Sequence, residues 1–229
     1  MAADVFLLIG NKKYSSWSLR PWLVLKQSGI DFDEQLVPLD QPDTTAKILA
    51  FSPSGRVPFL RHDKIEVWES LAISEYLAEA FPAAKLWPAD PAARAHARAV
   101  SNEMHGGFAE LRYFLPMDVS RDHRDKNRAA KVQGQVDRIQ AIWSDCRKRY
   151  GGEGPFLFGR FSIADGMFAP VATRFHTYGV TLAPENARYV DTIMNLPAMR
   201  EWVEGAKREP WEITYPVWKE TLTPEARHG

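Results

Sequence analysis

The sequence lacks the features typical of disulfide-bonded, metal-binding, nucleic-acid-binding and membrane-spanning proteins. It contains one cysteine, Cys146, which excludes an internal disulfide and a cysteine-cluster metal site. Its 29 Lys and Arg residues balance 29 Asp and Glu residues, so the charge does not indicate a nucleic-acid-binding or polybasic membrane protein. The longest apolar run, 5–9, is too short to span a bilayer. The 6 histidines show no HxxxH spacing, so we expect no bound metal.

What is present is the composition of an ordinary globular protein. Hydrophobic residues make up 45% of the 229 residues and charged residues 25%, enough for one large or two small domains. The first four residues lack the basic region of a signal peptide, so we expect a cytoplasmic protein. For Cys146 we expect a buried structural thiol.

Strand and helix patterns alternate through the first eighty residues. A helix that ends at Gly29 follows the first apolar run, and a turn-rich loop that includes Pro53 and Gly55 precedes a hairpin. The predicted elements are a strand at 5–9, a helix at 17–27, a strand at 32–37, a short helix at 44–49, hairpin strands at 57–61 and 65–67, and a helix at 69–80.

Beyond these elements the patterns become helical. Pro82, Pro88 and Pro91 mark a linker, which predicts an α/β domain at 1–82, a linker at 83–91 and an all-helical domain at 92–229. The predicted helices span about 92–113, with a glycine pair inside, and 125–150, and others begin at Ile163, Pro184 and Ala198. We expect residues 211–229 to pack as a tail and then fray.

Three short motifs fall where predicted elements meet. In the first, Tyr14-Ser15-Ser16-Trp17 stands between the first strand and the first helix. The first turn of a helix carries unpaired N–H groups and the positive end of the helix dipole. A hydroxyl there can cap the helix or donate a hydrogen bond to an anion.

The second motif is Arg56-Val57-Pro58 at the start of a predicted strand. A proline there cannot donate a hydrogen bond to the sheet. If the Val57–Pro58 bond is cis, the turn exposes the N–H and C=O of Val57 to solvent or ligand.

The third motif, Glu69-Ser70, begins a predicted helix. It has two interpretations that the sequence leaves open. Ser70 could cap the helix while Glu69 interacts with its dipole. Alternatively, Glu69 could bind an ammonium and Ser70 a carboxylate of the same ligand. Further along, Ser162 and Asp165 form a variant of the capping box, which is a folding feature.

In this order and spacing, these motifs resemble those of the cytosolic glutathione transferases, over nearly the whole chain. The resemblance implies a thioredoxin-like N-terminal domain followed by an all-α helical bundle. Ser15-Ser16 is most similar to the Ser-Ser-Cys signature of the zeta class, although Trp17 stands where that class has cysteine.

The resemblance also implies glutathione as co-substrate and a small electrophile as second substrate. Glu69 and Ser70 would hold the γ-glutamyl end, Val57 would pair with the cysteinyl backbone provided that Pro58 is cis, and Arg56 would hold a carboxylate.

The mechanism implied is activation of a thiol. A free thiol has a pKa of about 8.5, and its thiolate is the nucleophile. Ser15 is the favoured hydroxyl donor to the thiolate, and Ser16 is its rival. Two alternatives to conjugation stay open: glutathione-dependent cis–trans isomerisation of the maleylacetoacetate type, and a non-catalytic binding protein with the same fold.

The acceptor pocket and the assembly are likewise implied by the resemblance. The family commonly forms homodimers, and we expect no nucleic-acid or membrane partner. Arg174 could bind an anionic acceptor, but we interpret it as a surface arginine. The residues expected in the acceptor pocket are Tyr14, Trp17, Met104, Phe108, Leu111 and Arg112.

Overall fold

The structure is a computed structural model that describes residues 5–124 and 128–219. Its first part follows the predicted alternation of strands and helices, with bounds that differ from prediction by one or two residues. The elements are β1 (Val5–Ile9), α1 (Ser16–Ser28), β2 (Asp33–Leu36), α2 (Thr44–Leu49), β3 (Phe59–His62), β4 (Ile65–Trp68) and α3 (Ser70–Ala80).

Among the described residues, these four strands form one mixed sheet in the order β2-β1-β3-β4. β2 runs parallel to β1, whereas β3 is antiparallel to β1 and β4 is antiparallel to β3. Because side chains alternate along a strand, Leu7 faces the large core shared with α1 and α3, and Leu8 packs with Ile48 of α2 on the opposite face. The sheet therefore has helices on both faces, and α1 begins beyond the C-terminal end of the central strand β1.

The second part of the described chain is helical. Asp90 caps its first helix by accepting a hydrogen bond from the backbone N–H of Ala93, at 2.7 Å. The helices are α4 (Pro91–Gly106), α5 (Ala109–Phe114), α6 (Gln133–Tyr150), α7 (Ile163–Thr177), α8 (Pro184–Met194) and α9 (Pro197–Lys207). The predicted fold class is confirmed, whereas the exact domain boundaries stay a prediction.

One predicted helix is two helices in the structure. The helix expected at 92–113 ends at Gly106, and Phe108, with φ of 59°, turns the chain before α5 begins. A Cβ on Gly107 would lie 2.6 Å from the carbonyl oxygen of Glu103, so only glycine fits at this break. The glycine pair thus ends the helix.

A second difference concerns the helix predicted at 125–150. Residues 125–127 lie outside the described residues, and 128–132 form a 3₁₀ turn, so α6 begins only at Gln133. Of the tail, residues 211–219 are described: they follow α9 without regular structure and end in a 3₁₀ turn at Pro216–Lys219.

The two halves meet where α7 packs against α1. A Cβ on Gly166 would lie 2.7 Å from a methyl carbon of Val24, so the absence of a side chain allows this close approach. The predicted capping box fixes the start of α7, because the Asp165 carboxylate accepts hydrogen bonds from the backbone N–H and the hydroxyl of Ser162. This contact places the start of α1 next to the helical half.

Candidate functional site: a cleft at the start of α1

The turn between β1 and α1 carries two adjacent hydroxyls. Ser15 caps α1: its oxygen accepts from the backbone N–H of Ser18 at 3.3 Å, and its hydroxyl donates to Ser18 Oγ at 2.8 Å. Ser16, the first residue of α1, makes no side-chain hydrogen bond within the part of the chain that the structure describes. Ser15 therefore has a structural role as cap, whereas the Ser16 hydroxyl donates no hydrogen bond to the described residues.

Both hydroxyls border an open cleft of about 590 Å³ between the two halves of the chain. One wall comes from α2 and the loop after it, and the other from α5, α7 and the tail. The lining residues are Tyr14, Ser15, Ser16, Trp17, Leu39, Thr44, Thr45, Ile48, Gly55, Arg56, Val57, Arg112, Pro116, Met117, Arg174 and Tyr215. A smaller recess of about 170 Å³, lined by Trp17, Ser54, Arg56, Val57, Pro58 and Glu69, shares three of these residues.

The loop before β3 faces these serines across the cleft. Its Val57–Pro58 peptide bond is cis. Val57 and Arg56 line both the cleft and the recess, whereas Pro58 lines only the recess. The residues predicted from the first two motifs thus lie around one connected space.

Glu69 lines the recess and Ser70 follows it as the first residue of α3, and neither side chain caps that helix. Glu69 has φ of 70°, a left-handed backbone conformation that costs on the order of 1–3 kcal/mol for a residue other than glycine. Its half-exposed carboxylate lies 3.8 Å from Nε2 of His105. Ser70 is completely buried, and its oxygen accepts from the Arg20 guanidinium at 3.4 Å. The prediction that the Ser70 side chain caps α3 is therefore wrong.

Arg20 is a site residue that sequence reasoning missed. Its guanidinium is buried 4.3 Å from the centre of the Trp17 ring, and its Nε has no hydrogen-bond partner within the described residues. Burial lowers the pKa of Arg20 to about 9, aided by the nearby cations of Arg174 and Arg112 and opposed by Glu69. The only sequence signal was a charged residue within an otherwise apolar stretch of α1.

The interpretation of Arg174 as a surface residue is wrong, because α7 turns it inward. Its side chain is buried at the cleft, where Nε donates to the carbonyl of Leu115 at 2.7 Å and Nη1 donates to the carbonyl of Pro170 at 3.0 Å. Burial lowers the pKa of Arg174 to about 10.

Arg112 also borders the cleft, and its guanidinium donates to the carbonyl of Gly107. Within the described chain, neither Arg112 nor Arg174 forms an ion pair with a carboxylate. The helical side of the cleft therefore carries cations without partner anions.

The predicted acceptor-pocket residues separate into two groups. Tyr14, Trp17 and Arg112 border the cleft. The other three do not: Met104 and Leu111 are completely buried in the core, and Phe108 packs against that core. Periodicity placed these three residues in one continuous helix, whereas the chain turns at Gly107 and Phe108, between α4 and α5.

The tail supplies further residues that the sequence did not single out. Tyr215 borders the cleft, and the Glu212 carboxylate accepts a hydrogen bond from the Tyr14 hydroxyl at 2.9 Å. Burial raises the pKa of Tyr14, and the hydrogen bond to Glu212 raises it further. The only feature of the sequence that pointed to these residues was the group of aromatic side chains in the tail.

Two sequence expectations concern groups outside the cleft. Cys146 is buried, as expected, and burial raises the pKa of its thiol to about 12. Across residues 5–124 and 128–219 there is no group of three or more His, Cys, Asp or Glu side chains that could hold a metal ion. In the same ranges, none of the helices combines the length and apolarity needed to cross a membrane.

Fold and cleft together define the class of protein: a thioredoxin-like sheet domain followed by a helical domain, with the ligand cleft between them. Family models described as the N-terminal and C-terminal domains of glutathione S-transferase match residues 14–80 and 123–205.

Individual relatives agree with these models. A maleylacetoacetate isomerase from Mus musculus is 36% identical over 175 residues, which cover 74% of this chain and 77% of the relative. A probable maleylacetoacetate isomerase from Caenorhabditis elegans is 38% identical over 96 residues, 42% of this chain and 44% of the relative. A solved glutathione transferase homologue from Burkholderia, with bound glutathione, is 27% identical with a TM-score of 0.68, and the match covers 89% of this chain and 98% of that one.

The chain therefore belongs to the glutathione S-transferase family. The resemblance drawn from the sequence motifs is confirmed at this level, and with it the expected class of enzyme, a glutathione transferase.

Proposed function

We propose that this protein binds glutathione in the cleft, activates its thiol as a thiolate through Ser15, and directs it at a small electrophile. The observation that carries the proposal is the position of two hydroxyls at the N-terminus of α1, opposite Val57 across the connected cleft and recess. The glutathione bound to the Burkholderia homologue supports the choice of co-substrate.

The γ-glutamyl end of glutathione carries an ammonium and a carboxylate, which suits the far side of the recess. Glu69 is half exposed there and offers its carboxylate to an ammonium. The carboxylate would lie at the N-terminus of α3, near Ser70 and the buried Arg20 guanidinium. The Nε of the buried Arg20 guanidinium has no hydrogen-bond partner among the described residues, and a bound anion would stabilise such a group, which is the contribution we assign to Arg20.

The other end of the tripeptide would lie along the loop before β3. Val57 would pair through its backbone with the cysteinyl unit, and the exposed guanidinium of Arg56 would hold a carboxylate. This orientation brings the thiol toward the start of α1.

The Ser15 hydroxyl can donate a hydrogen bond to the thiolate although Ser15 also caps α1. The cap bond uses the oxygen as acceptor, so the proton is free to turn from Ser18 toward a sulfur anion. Hydrogen bonds to charged groups contribute about 1.5–3 kcal/mol, compared with about 0.5–1.5 kcal/mol between neutral groups, so the thiolate would be the preferred acceptor. The helix dipole favours the anion in addition. Ser16, whose hydroxyl is uncommitted, remains the rival donor.

A second candidate reaction is zeta-like isomerisation of the maleylacetoacetate type, in which the thiolate adds and then leaves. The relatives named maleylacetoacetate isomerase favour it. The guanidinium groups of Arg112 and Arg174 on the acceptor side also favour it: they donate to backbone carbonyls, form no ion pair among the described residues, and suit a substrate with carboxylates. Conjugation remains the leading proposal, because Trp17 stands where the zeta class has cysteine.

Counting free thiol during turnover separates these reactions. Conjugation consumes one glutathione for each electrophile, isomerisation consumes none, and a non-catalytic binding protein would bind glutathione without either reaction. We expect consumption with a panel of electrophiles. Turnover with a constant thiol concentration would establish isomerisation, and binding without turnover would overturn both enzymatic proposals. The homodimer and the cytoplasmic location remain part of the proposal on family resemblance.

A further inference from the structure

A histidine of the helical half, His105, lies beside Glu69 and has no role in the function proposed above. It stands in the last turn of α4, one residue before that helix ends at Gly106. Its Nε2 atom lies 3.8 Å from a carboxylate oxygen of Glu69. Glu69 precedes α3 and lines the recess, so this pair of side chains joins the two halves of the chain next to the candidate γ-glutamyl site.

The surroundings of His105 combine one anion with two cations. The His105 ring lies edge-on to the Trp17 ring, with centroids 5.3 Å apart. The guanidinium groups of Arg20 and Arg112 lie 4.3 Å and 5.6 Å from the centre of the same Trp17 ring. The charged groups that face His105 are therefore Arg20 from α1, Arg112 from α5 and Glu69 from the start of α3.

These neighbours determine when His105 gains a proton. Burial lowers the pKa of His105, the Arg20 and Arg112 cations lower it further, and Glu69 opposes them. His105 is therefore neutral at pH 7 and becomes charged only at acid pH. Its Nδ1 atom is buried without a hydrogen-bond partner among the described residues, so Glu69 is the carboxylate within reach of the ring, through Nε2.

We propose that His105 is a positioning residue that makes glutathione binding sensitive to pH through Glu69. When His105 is neutral, the Glu69 carboxylate is left to the γ-glutamyl ammonium. When His105 is protonated, it pairs with Glu69 and opposes binding of the ammonium. The inference rests on the proposed function, because it takes Glu69 as the group that binds the ammonium.

The direction of the effect follows from the charges involved. An imidazolium and an ammonium beside one carboxylate repel each other, and Arg20 and Arg112 add to the positive charge of this region. The ammonium would share Glu69 directly with His105, whereas the γ-glutamyl carboxylate would act on His105 only through Arg20. Glutathione binding and protonation of His105 therefore oppose each other, and affinity should fall at acid pH.

Calorimetric binding of S-methylglutathione at two pH values tests this proposal without the reacting thiol. The ligand keeps the ammonium and both carboxylates, and none of these groups has an ordinary pKa between pH 5 and 7. The test variant is His105→Gln, which keeps a polar side chain that cannot gain a charge. The matched control is His96→Gln. His96 lies on the same helix with its Nε2 3.3 Å from the Asp145 carboxylate, and it borders neither the cleft nor the recess.

We expect the Kd of the unaltered protein to rise at least threefold from pH 7.0 to pH 5.0, because His105 gains its proton over this range. In His105→Gln the Kd should change less than twofold over the same range, and at pH 7.0 it should lie within about threefold of that of the unaltered protein. His96→Gln should keep the full pH dependence.

Reciprocal linkage supplies a second measurement, which needs no variant. An NMR titration of the His105 imidazole in the unaltered protein should give a lower pKa with saturating S-methylglutathione than without it. A pKa that the ligand leaves unchanged or raises would overturn the inference, even if His105→Gln did not fold.

Equal pH dependence in the unaltered protein and in His105→Gln would also overturn it. So would weaker binding by His105→Gln at both pH values with the pH dependence retained, because that pattern indicates a purely structural role. If the unaltered protein does not bind S-methylglutathione at pH 7.0, the proposed function fails and the inference fails with it, which is a result distinct from the others.

Discussion

At the scale of single residues, local structure fixes the side chains on the sheet side of the cleft, whereas long-range packing fixes those on the helical side. Ser15, Val57 and Glu69 each stand where a strand, turn and helix meet, so their neighbours in sequence fix their placement. Arg174 was misjudged because its burial depends on the packing of α7 against segments more than fifty residues away. Tyr215 reaches the cleft from the described part of the tail, where its ring contacts those of Tyr14 and Trp218.

Substitution of Glu69 tests the γ-glutamyl assignment at this scale. We expect Glu69→Gln to weaken glutathione binding about 10- to 100-fold, since a hydrogen bond between charged groups contributes about 1.5–3 kcal/mol. Isothermal titration calorimetry measures the effect. Glu66→Gln, on the exposed face of β4, serves as the control and should leave the affinity unchanged. An affinity in Glu69→Gln equal to that of the control would remove this residue from the site.

At the scale of secondary-structure elements, hydrophobic periodicity predicted most of the helices. The predicted and observed helices differ where the backbone conformation requires a particular residue. The pattern from 92 to 113 is compatible with one continuous helix. The break occurs at Gly107, where a Cβ atom would lie too close to the carbonyl oxygen of Glu103. Hydrophobic periodicity carries no information on such a contact. The break determines which face of α5 carries Arg112 toward the cleft. The start of α7, in contrast, was predictable because both members of its capping box lie within four residues.

Two adjacent glycines provide a matched pair of substitutions for this break. We expect Gly107→Ala to lower the free energy of unfolding by roughly 1–3 kcal/mol, because its Cβ would collide with the Glu103 carbonyl. Gly106→Ala should be neutral or stabilising by up to about 1 kcal/mol, because its Cβ would meet no atom within 4 Å and alanine favours helix. Denaturant titration of both variants gives the comparison. Equal effects at the two positions would contradict the assignment of the break to Gly107.

The capping box of α7 predicts a pH dependence. Burial raises the pKa of Asp165 from 3.8 to about 6, because the hydrogen bonds from Leu157, Ser162 and Tyr189 only partly offset desolvation. The folded state then binds the proton more tightly than the unfolded state, so this residue's contribution to stability is fully present below about pH 4 and is lost as pH rises to about 6.

Asp165→Asn removes this titration. The stability advantage of the unaltered protein over the variant should therefore be larger at pH 4.5 than at pH 7, as measured by denaturant unfolding at both values. Asp137→Asn, an exposed substitution on α6, controls for the general effect of removing a carboxylate. An advantage that grows with pH would contradict a raised pKa for Asp165.

At the scale of the whole molecule, the cleft exists because α1 packs against α7 and brings the two halves together. The sheet half contributes hydroxyls, the loop before β3 and the strained Glu69, and the helical half contributes Arg112, Arg174 and the tail. The change from alternating strand and helix patterns to helical patterns sufficed to predict the two-part architecture, because each pattern reports on its own element. Met104 and Leu111 were expected in the pocket on family resemblance, but burial in the core keeps them from the cleft. Which helical side chains reach the cleft depends on packing between the halves, which short motifs and periodicity do not report, and Tyr215 was missed for the same reason.

The central claim is that Ser15 stabilises the thiolate of bound glutathione, and an ultraviolet titration of that thiolate against pH tests it most directly. We predict an apparent thiol pKa below the ordinary value of about 8.5 in the unaltered protein and an increase of about one unit or more in Ser15→Ala. Ser16→Ala, the matched control in the same cleft, should leave the pKa unchanged.

Thermal unfolding should accompany the titration, because Ser15→Ala also removes the cap of α1, a loss of about 1 kcal/mol that a folded variant tolerates. A thiol pKa unchanged in Ser15→Ala and raised in Ser16→Ala would transfer the role to Ser16. A pKa near 8.5 in the unaltered protein would contradict thiolate activation altogether.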